Sequence, residues 1–378
     1  MSSKERMLAA LRLEEPDVIP VAPYIGLWFA PKLMGYAISE YVLGTNKFRA
    51  EILINAQKRL GFDWIMAGRG HRHDWRESVE IKEEGDRYVV TQKDEGYYLG
   101  SWHTSYIVPK DDAPYHLTGT HGYLPEIEDY VDLPITNAET ILGGGELEQM
   151  EIISKRVGDK VLVVGHLSSP FLMGAFKVGV QQWIVSLYRK PDLADKVMKQ
   201  SMEQGLEYAR AQIEAGAEAF WIEEGYAGAD VLSPKLYEKF AFPYERAYIK
   251  ELNKLGVPTI FSFQADPGPI LDKILETGPT AHHFEESKKG FIVDIYKIRE
   301  KLRGKACMFI PFNAVALLPS NDLKAIEREV VEIVSRTAEG GGVVLSTGCP
   351  ILKDTDERSV EVMTKTARRV GRYPIKQK

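Results

Sequence analysis

Apolar residues follow two rhythms along this chain, and the change between them organises it. From Val161 onward, short apolar runs alternate with stretches in which apolar residues recur every three or four positions. The first pattern reads as buried strands and the second as amphipathic helices. Val161 to Val164 predicts a strand ending at Gly165-His166, and Leu193, Val197, Met202, Leu206, Ala209 and Ile213 form one stripe of a long helix stopped at Gly216. Further strands are predicted at Ala219 to Ile222, Pro258 to Phe261, Ala281 to Phe284, Ala306 to Ile310 and Val343 to Leu345. One intervening helix opens with Ser233 as N-cap and Pro234 at the first helical position, where its missing N–H costs nothing. Others run from Pro269 to Leu275, through Ile295, Ile298 and Leu302, and from Leu323 to Val334. Such alternation predicts a parallel sheet covered by helices.

The N-terminal part is less regular. Ser2-Ser3-Lys4-Glu5 has the form of a capping box, and Met7, Leu8 and Leu11 give the helix behind it one apolar stripe. Val18 to Tyr24 predicts the first strand, Lys47 to Leu60 a helix, and Asp63 to Met66 a second strand. Residues 78–109 then change period. Val79-Glu80-Ile81, Tyr88-Val89-Val90 and Tyr97 to Val108 alternate as antiparallel strands do, with Glu84-Gly85-Asp86 and Asp94-Glu95-Gly96 as turns. The aromatics Tyr97, Tyr98, Trp102 and Tyr106 are expected to pack within this insertion rather than line a pocket. No G-x-G-x-x-G turn follows any strand, which weighs against a doubly wound dinucleotide fold. The expected architecture is a TIM-type (β/α)8 barrel, one domain over residues 1–378, carrying 78–109 as an inserted antiparallel β element.

Composition narrows the function. A chain of 378 residues with 44% apolar content can bury a large core, and a net charge of −6 offers no basic footprint for nucleic acid. No apolar run approaches the ~20 residues that span a membrane. The start reads as a helix rather than a leader, and two cysteines, Cys307 and Cys349, make no disulfide framework, so a reducing cytoplasm is expected. A homodimer is compatible with this composition.

The chemistry gathers where the predicted strands end. Successive ends present His166, then Glu223-Glu224, then Ser262 and Gln264 with Asp266, then Glu285-Glu286, then Asn313, then Cys349. In parallel barrels the C-terminal strand ends carry the site, so this succession reads as a functional face. The plainer reading splits the acid pair between a local cap and solvent. His71 and His73, two apart on a polar loop, have a spacing that fits metal ligation, but solvation is the commoner fate of such residues.

These residues carry a resemblance. Glu5-Arg6-Met7-Leu8-Ala9-Ala10-Leu11 through Asp17-Val18-Ile19-Pro20-Val21, the acidic pair with Ser233-Pro234, and Ser346-Thr347-Gly348-Cys349-Pro350 resemble, in order and spacing, the uroporphyrinogen decarboxylase superfamily. That superfamily also contains corrinoid-linked methyltransferases, and its barrel fold agrees with the reading above. In the decarboxylases an arginine-rich N-terminal loop grips the substrate's carboxylates. Here no arginine stands between Arg12 and Arg49, and the corresponding stretch reads Ile25-Gly26-Leu27-Trp28-Phe29-Ala30. Porphyrinogen decarboxylation would leave that charge poorly paired.

The thiol-methylating branch holds zinc through a His-x-Cys-Gly motif and a later cysteine. The first two positions fall here on Ser262 and Gln264, and only Cys349 survives. Serine and an amide are poor zinc ligands. A carboxylate variant of the zinc site is half matched by Glu223 and Glu238, with Thr259 where its histidine belongs. The resemblance therefore implies an O-demethylase methyltransferase, moving a methyl group from an aryl methyl ether to Co(I) of a separate corrinoid protein. Cobalamin is carried by that partner, and zinc is possible but not expected from the motif. Glu223, Glu224, Glu285 and His283 are then the candidate catalytic groups. His166, Ser262, Gln264, Asn313, Trp28 and Tyr24 are candidates for substrate binding, and Glu223, Glu238 and Cys349 for a metal. Alternatives are a methylcorrinoid-linked transferase with another donor or acceptor, a uroporphyrinogen-decarboxylase-like lyase, and a non-catalytic barrel that binds a corrinoid protein or small molecule.

Overall fold

The computed structural model describes residues 1–375 apart from 94–96, 99–100, 103–105, 117–126, 132 and 288–289. Thirteen strands occur among the described residues. The first, β1 (Trp64–Ala67), precedes an antiparallel group: β2 (Val79–Glu84), β3 (Arg87–Gln92), β4 (Tyr97–Tyr98), β5 (Ser101–Trp102), β6 (Tyr106–Pro109) and β7 (Tyr115–His116). The remainder are β8 (Leu162–Ser168), β9 (Ala219–Glu224), β10 (Thr259–Phe263), β11 (Ala281–Phe284), β12 (Cys307–Phe312) and β13 (Val343–Thr347). β1 and β8 to β13 form one seven-stranded sheet in chain order, with every pairing parallel.

The sheet curls because each of its strands sends a side chain into one buried cluster on its inner face. Trp64, Val164, Trp221, Ile260, Ala281, Phe309 and Val344 meet there. Helix Ser3–Leu11 adds Met7, Ala10 and Leu11 to the same cluster. That helix lies under the N-terminal strand ends, where Lys4 N–H donates to the Lys160 carbonyl just before β8. Its capping box forms as the sequence predicts, with Glu5 reaching back to the Ser2 N–H. The outer face packs on the helices through a second and larger cluster that includes Ile65, Phe220, Ile222, Phe261 and Leu345.

Residues 18–22 differ from the predicted first strand. They form an isolated parallel bridge, Val21 to Leu345, rather than a regular strand. Pro20 and Pro23 have no N–H to give a ladder. The segment still touches both sheet edges. Ala22 N–H donates to the Leu345 carbonyl and Leu345 N–H to that of Pro20, while on the other side Asp63 N–H donates to the Val21 carbonyl.

The β insertion continues past the predicted 109 to His116, in the order β2-β3-β6-β7, with β4 and β5 pairing separately. Tyr106 packs against its small core of Val79, Val90 and Val108. The side chains of Tyr97, Tyr98 and Trp102 lie outside the described residues. The helix predicted from Pro234 is broken in three: Pro234–Leu236, a π-turn at Tyr237–Ala241, and Phe242–Asn253. Pro243 lacks the N–H that an α-turn would aim at the Lys239 carbonyl, and the ladder slips there. Among the described residues no helix is long and apolar enough to cross a membrane.

Candidate active site

Side chains alternate between faces of a strand, and this decides which polar residues meet. In β9, Trp221 belongs to the inner cluster and Ile222 to the outer one, so Glu223 faces inward and Glu224 outward. The same count from Val164, Ile260 and Ala281 places His166, Ser262 and His283 on the inner face. The register confirms the neighbourhood, for Ser262 stands beside Glu223 on one side and His283 on the other.

Two hydrogen-bonded groups result. His166 Nε2 lies 2.7 Å from Glu223 Oε2, and both side chains are partly exposed. Deeper in, His283 is fully buried between the Ser262 hydroxyl, 2.9 Å from Nδ1, and the Thr347 carbonyl, 2.9 Å from Nε2. A carbonyl only accepts, so Nε2 carries the proton and Nδ1 accepts from Ser262. Burial holds His283 down to about 4, so the ring is neutral near pH 7. Gln264 Nε2 donates to Ser262 Oγ at 3.2 Å. Tyr24 lies 5.8 Å from Trp221 between ring centroids, and burial, followed by the Glu223 charge, raises its hydroxyl pKa.

Other predicted residues serve the loops. Glu224 is fully buried and accepts from the Ser169 hydroxyl and from the N–H groups of Tyr226 and Ala227, at 2.7 and 2.9 Å. Ser169 is itself the N-cap of helix Pro170–Val178, so Glu224 bolts the loop after β9 to that helix. Burial raises its pKa, and those bonds pull the other way. Glu286 accepts from the N–H groups of Ala314 and Val315, and Asn313 Oδ1 from those of Ala316 and Leu317, which together shape the loop after β12. Glu285 Oε1 accepts from Cys349 Sγ at 3.0 Å. Glu238 is exposed on the π-turn, and Trp28 is partly buried on helix Gly26–Leu33.

A zinc ion of the thiol-methylating kind does not suit these groups. The Gln264 amide donates to the Ser262 hydroxyl, which is bonded to His283, and the Cys349 thiol is turned to Glu285. Among the described residues no three His, Cys, Asp or Glu side chains gather as a metal-holding set. On the loop after β1, His71 stacks on Trp75 at 3.7 Å and bonds the Val42 carbonyl, and burial holds it down to about 4.

Beside His166 opens a mainly apolar cavity of about 260 Å³, walled by Tyr24, Tyr41, Trp64 and Met66 and reached by Gln149, Arg49 and Arg69. The two arginines escaped the sequence reading, although Arg49 carried a signal. It occupies the first position of the stripe Arg49, Ile52/Leu53, Ala56, Leu60, where an amphipathic helix places an apolar residue.

The backbone under His166 has room for added bulk only if Gln212 moves. A Cβ on Gly165 would stand 2.1 Å from Gln212 Oε1 and 3.3 Å from Ala217 Cβ, and the Gln212 amide donates to the His166 carbonyl at 3.0 Å. Gly165→Ala is expected to cost about 1–3 kcal/mol in stability. It should also weaken substrate binding at the cavity, read by urea melts and by ligand titration. An unchanged melt would show that Gln212 simply swings aside.

A family model described as uroporphyrinogen decarboxylase (URO-D) matches residues 124–370. Curated relatives include the uroporphyrinogen decarboxylase of Geotalea daltonii, 29% identical over 212 residues, which are 54% of this chain and 59% of that one. That of Trichodesmium erythraeum is 26% identical over 232 residues, 59% of this chain and 62% of that one. The chain thus spans about three fifths of the length of these relatives. A methyltransferase from Methanosarcina mazei shares the fold at a TM-score of 0.74 and 21% identity, covering 98% of this chain and 99% of that chain.

Proposed function

This chain belongs to the uroporphyrinogen decarboxylase family, and from that premise we propose that it is an O-demethylase methyltransferase, moving a methyl group from a methoxylated aromatic to Co(I) of a separate corrinoid protein. The observation that carries this reading is the His166–Glu223 pair at the edge of a small, mostly aromatic and apolar cavity. Breaking an aryl ether releases a phenolate, whose conjugate acid has a pKa of ~10 by analogy with tyrosine, so departure is eased by a proton donor.

The electron pair of the methyl–oxygen bond stays on the oxygen, which takes a proton from the imidazolium of His166, and the phenol leaves. Co(I) on the partner supplies the pair for the new methyl–cobalt bond. Glu223 orients the ring through its contact with Nε2, and solvent returns the proton afterwards. Ser262, Gln264 and His283, locked to one another, hold the floor of the site rather than exchange protons. A reduced-cobalt nucleophile needs no zinc-activated thiol, which agrees with the donor set found here.

The sheet is taken to close as a TIM-type (β/α)8 barrel with 18–22 in the eighth position, supported by the hydrogen bonds on both its sides. The corrinoid protein then docks over the C-terminal strand face, where the cobalt can approach the methyl carbon to ~3–3.5 Å. Low-potential cobalt places the reaction in a reducing cytoplasm. Decarboxylation of a tetrapyrrole fits less well, since a cavity of about 260 Å³ is small for it. The test is a panel of methyl donors mixed with the chain and reduced corrinoid protein, followed by cobalt absorbance. Methoxyphenols and methoxybenzoates should give methyl-cobalt. A signal from a methylated thiol or amine alone would overturn the assignment.

A further inference from the structure

We propose that the cavity beside His166 binds a carboxylate at Arg49, so that the natural methyl donor is a methoxylated aromatic acid. The methoxy half of this statement rests on the demethylation reading, whereas the anion site stands on its own geometry. Arg49 projects from helix Asn46–Leu60 and is only 7% exposed. Its bonds end on neutral groups: Nη2 donates to the Arg69 carbonyl at 3.1 Å, and the guanidinium lies 5.1 Å from the centre of the Tyr41 ring. Its Nε is buried without a hydrogen-bond partner among the described residues.

Arginine keeps its charge at every physiological pH, and a buried charge is stabilised by pairing. The charged residues among the described cavity lining are Arg49 and Arg69, with His166 as the titratable third, and none is acidic. A carboxylate entering this space meets a planar donor fork of matching geometry.

Size sets the rest of the ligand. At about 260 Å³ the space falls just below the ~300–1,000 Å³ of pockets for drug-sized ligands, which suits one substituted ring. Arg49 and His166 line the same cavity, so a ring held at Arg49 by its acid can present its methoxy oxygen to the His166 side. All the lining residues except Gln149 and His166 also precede residue 124, where the family match begins. Recognition is therefore built largely from a part of the chain that the family model does not reach.

Calorimetric titration of the full chain with the ortho, meta and para methoxybenzoates, their methyl esters and the matching methoxyphenyl phosphates tests this without any corrinoid protein. At least one acid should bind roughly 10–100-fold more tightly than its ester, the range of a charge-assisted pair. Arg49→Met should bring that acid to the level of its ester, Arg49→Lys should keep part of the difference, and neither should change ester binding. The proposal is overturned if no acid binds, if esters bind as well as acids, if the phosphates bind more tightly, or if Arg49→Met leaves the acid unaffected. Should Arg49→Met fail to fold, the acid-to-ester ratio of the natural chain and the Arg49→Lys result decide. Tight acid binding without methyl transfer would leave this site standing and remove the demethylation reading instead.

Discussion

Changing Glu223 to Gln is expected to slow methyl transfer from an aryl methyl ether to Co(I) by about 10²–10⁴-fold, the range of one general acid, with little change in substrate affinity. Glutamine keeps an oxygen that can accept from His166 Nε2 at the 2.7 Å position. What is lost is the negative charge that faces the ring across this contact. The ring's proton is needed only as the methyl–oxygen bond breaks, so the loss should appear in kcat and hardly in binding. His166→Gln should be as slow, and the double variant no slower than the worse single one, because the pair acts as a unit. Donors with more acidic phenols need less help and should suffer less. Glu285→Gln is expected to slow transfer far less, since that carboxylate serves the Cys349 thiol. Stopped-flow cobalt absorbance measures all of these. If Glu223→Gln and His166→Gln both transfer at the unaltered rate, the proton comes from elsewhere.

The second large effect is on stability. Asp63 is completely buried, yet its carboxylate meets Arg6 Nη1 at 2.8 Å, Arg368 Nη2 at 2.5 Å and the Val21 N–H at 2.7 Å. Asp63→Ala is expected to cost about 3–5 kcal/mol, the usual result of removing one partner from a buried ion pair. The penalty should fall mostly on Arg368, since Arg6 keeps its pairing with Asp17 whereas, among the described residues, Arg368 keeps the neutral carbonyls of Ile19 and Gly61. Adding Arg368→Met to Asp63→Ala should therefore recover part of the loss. Urea unfolding of the single and double variants checks this, and a cost under about 1 kcal/mol for Asp63→Ala would mean the cluster behaves like a surface pair.

Much of the site was legible by counting in twos. From Trp221, Ile260 and Ala281 the inner parity leads to Glu223, Ser262 and His283, so the distinction between Glu223 and Glu224 was present in the sequence. It went unused because both acids end one strand. The roles of Glu224, Glu286 and Asn313 were not legible. Each accepts backbone N–H groups from loops whose path no periodicity describes. The parallel sheet came directly from the apolar rhythm after Val161. The first strand did not, because the apolar pattern at 18–24 hides two prolines that cannot donate to a ladder. Arg49 stood in plain view in a helical stripe, but only the cavity beside it shows why a charge replaces an apolar residue there.

The bridge made by residues 18–22 has a consequence for synthesis. The sheet's outermost strands, β1 and β13, are both covered by this one segment, which contacts Leu345 and is tied through Asp63 to Arg368. Residues 18–22 leave the ribosome shortly before Asp63 but long before Leu345 and Arg368. Until Leu345 and Arg368 have been made, the growing sheet carries an unpaired edge, the kind of surface that recruits other strands. The last contacts to form also span most of the chain, which makes them slow. A chaperone that shields strand edges should therefore raise the yield of this protein more than one that acts after release, and slower translation of the final third should lower it.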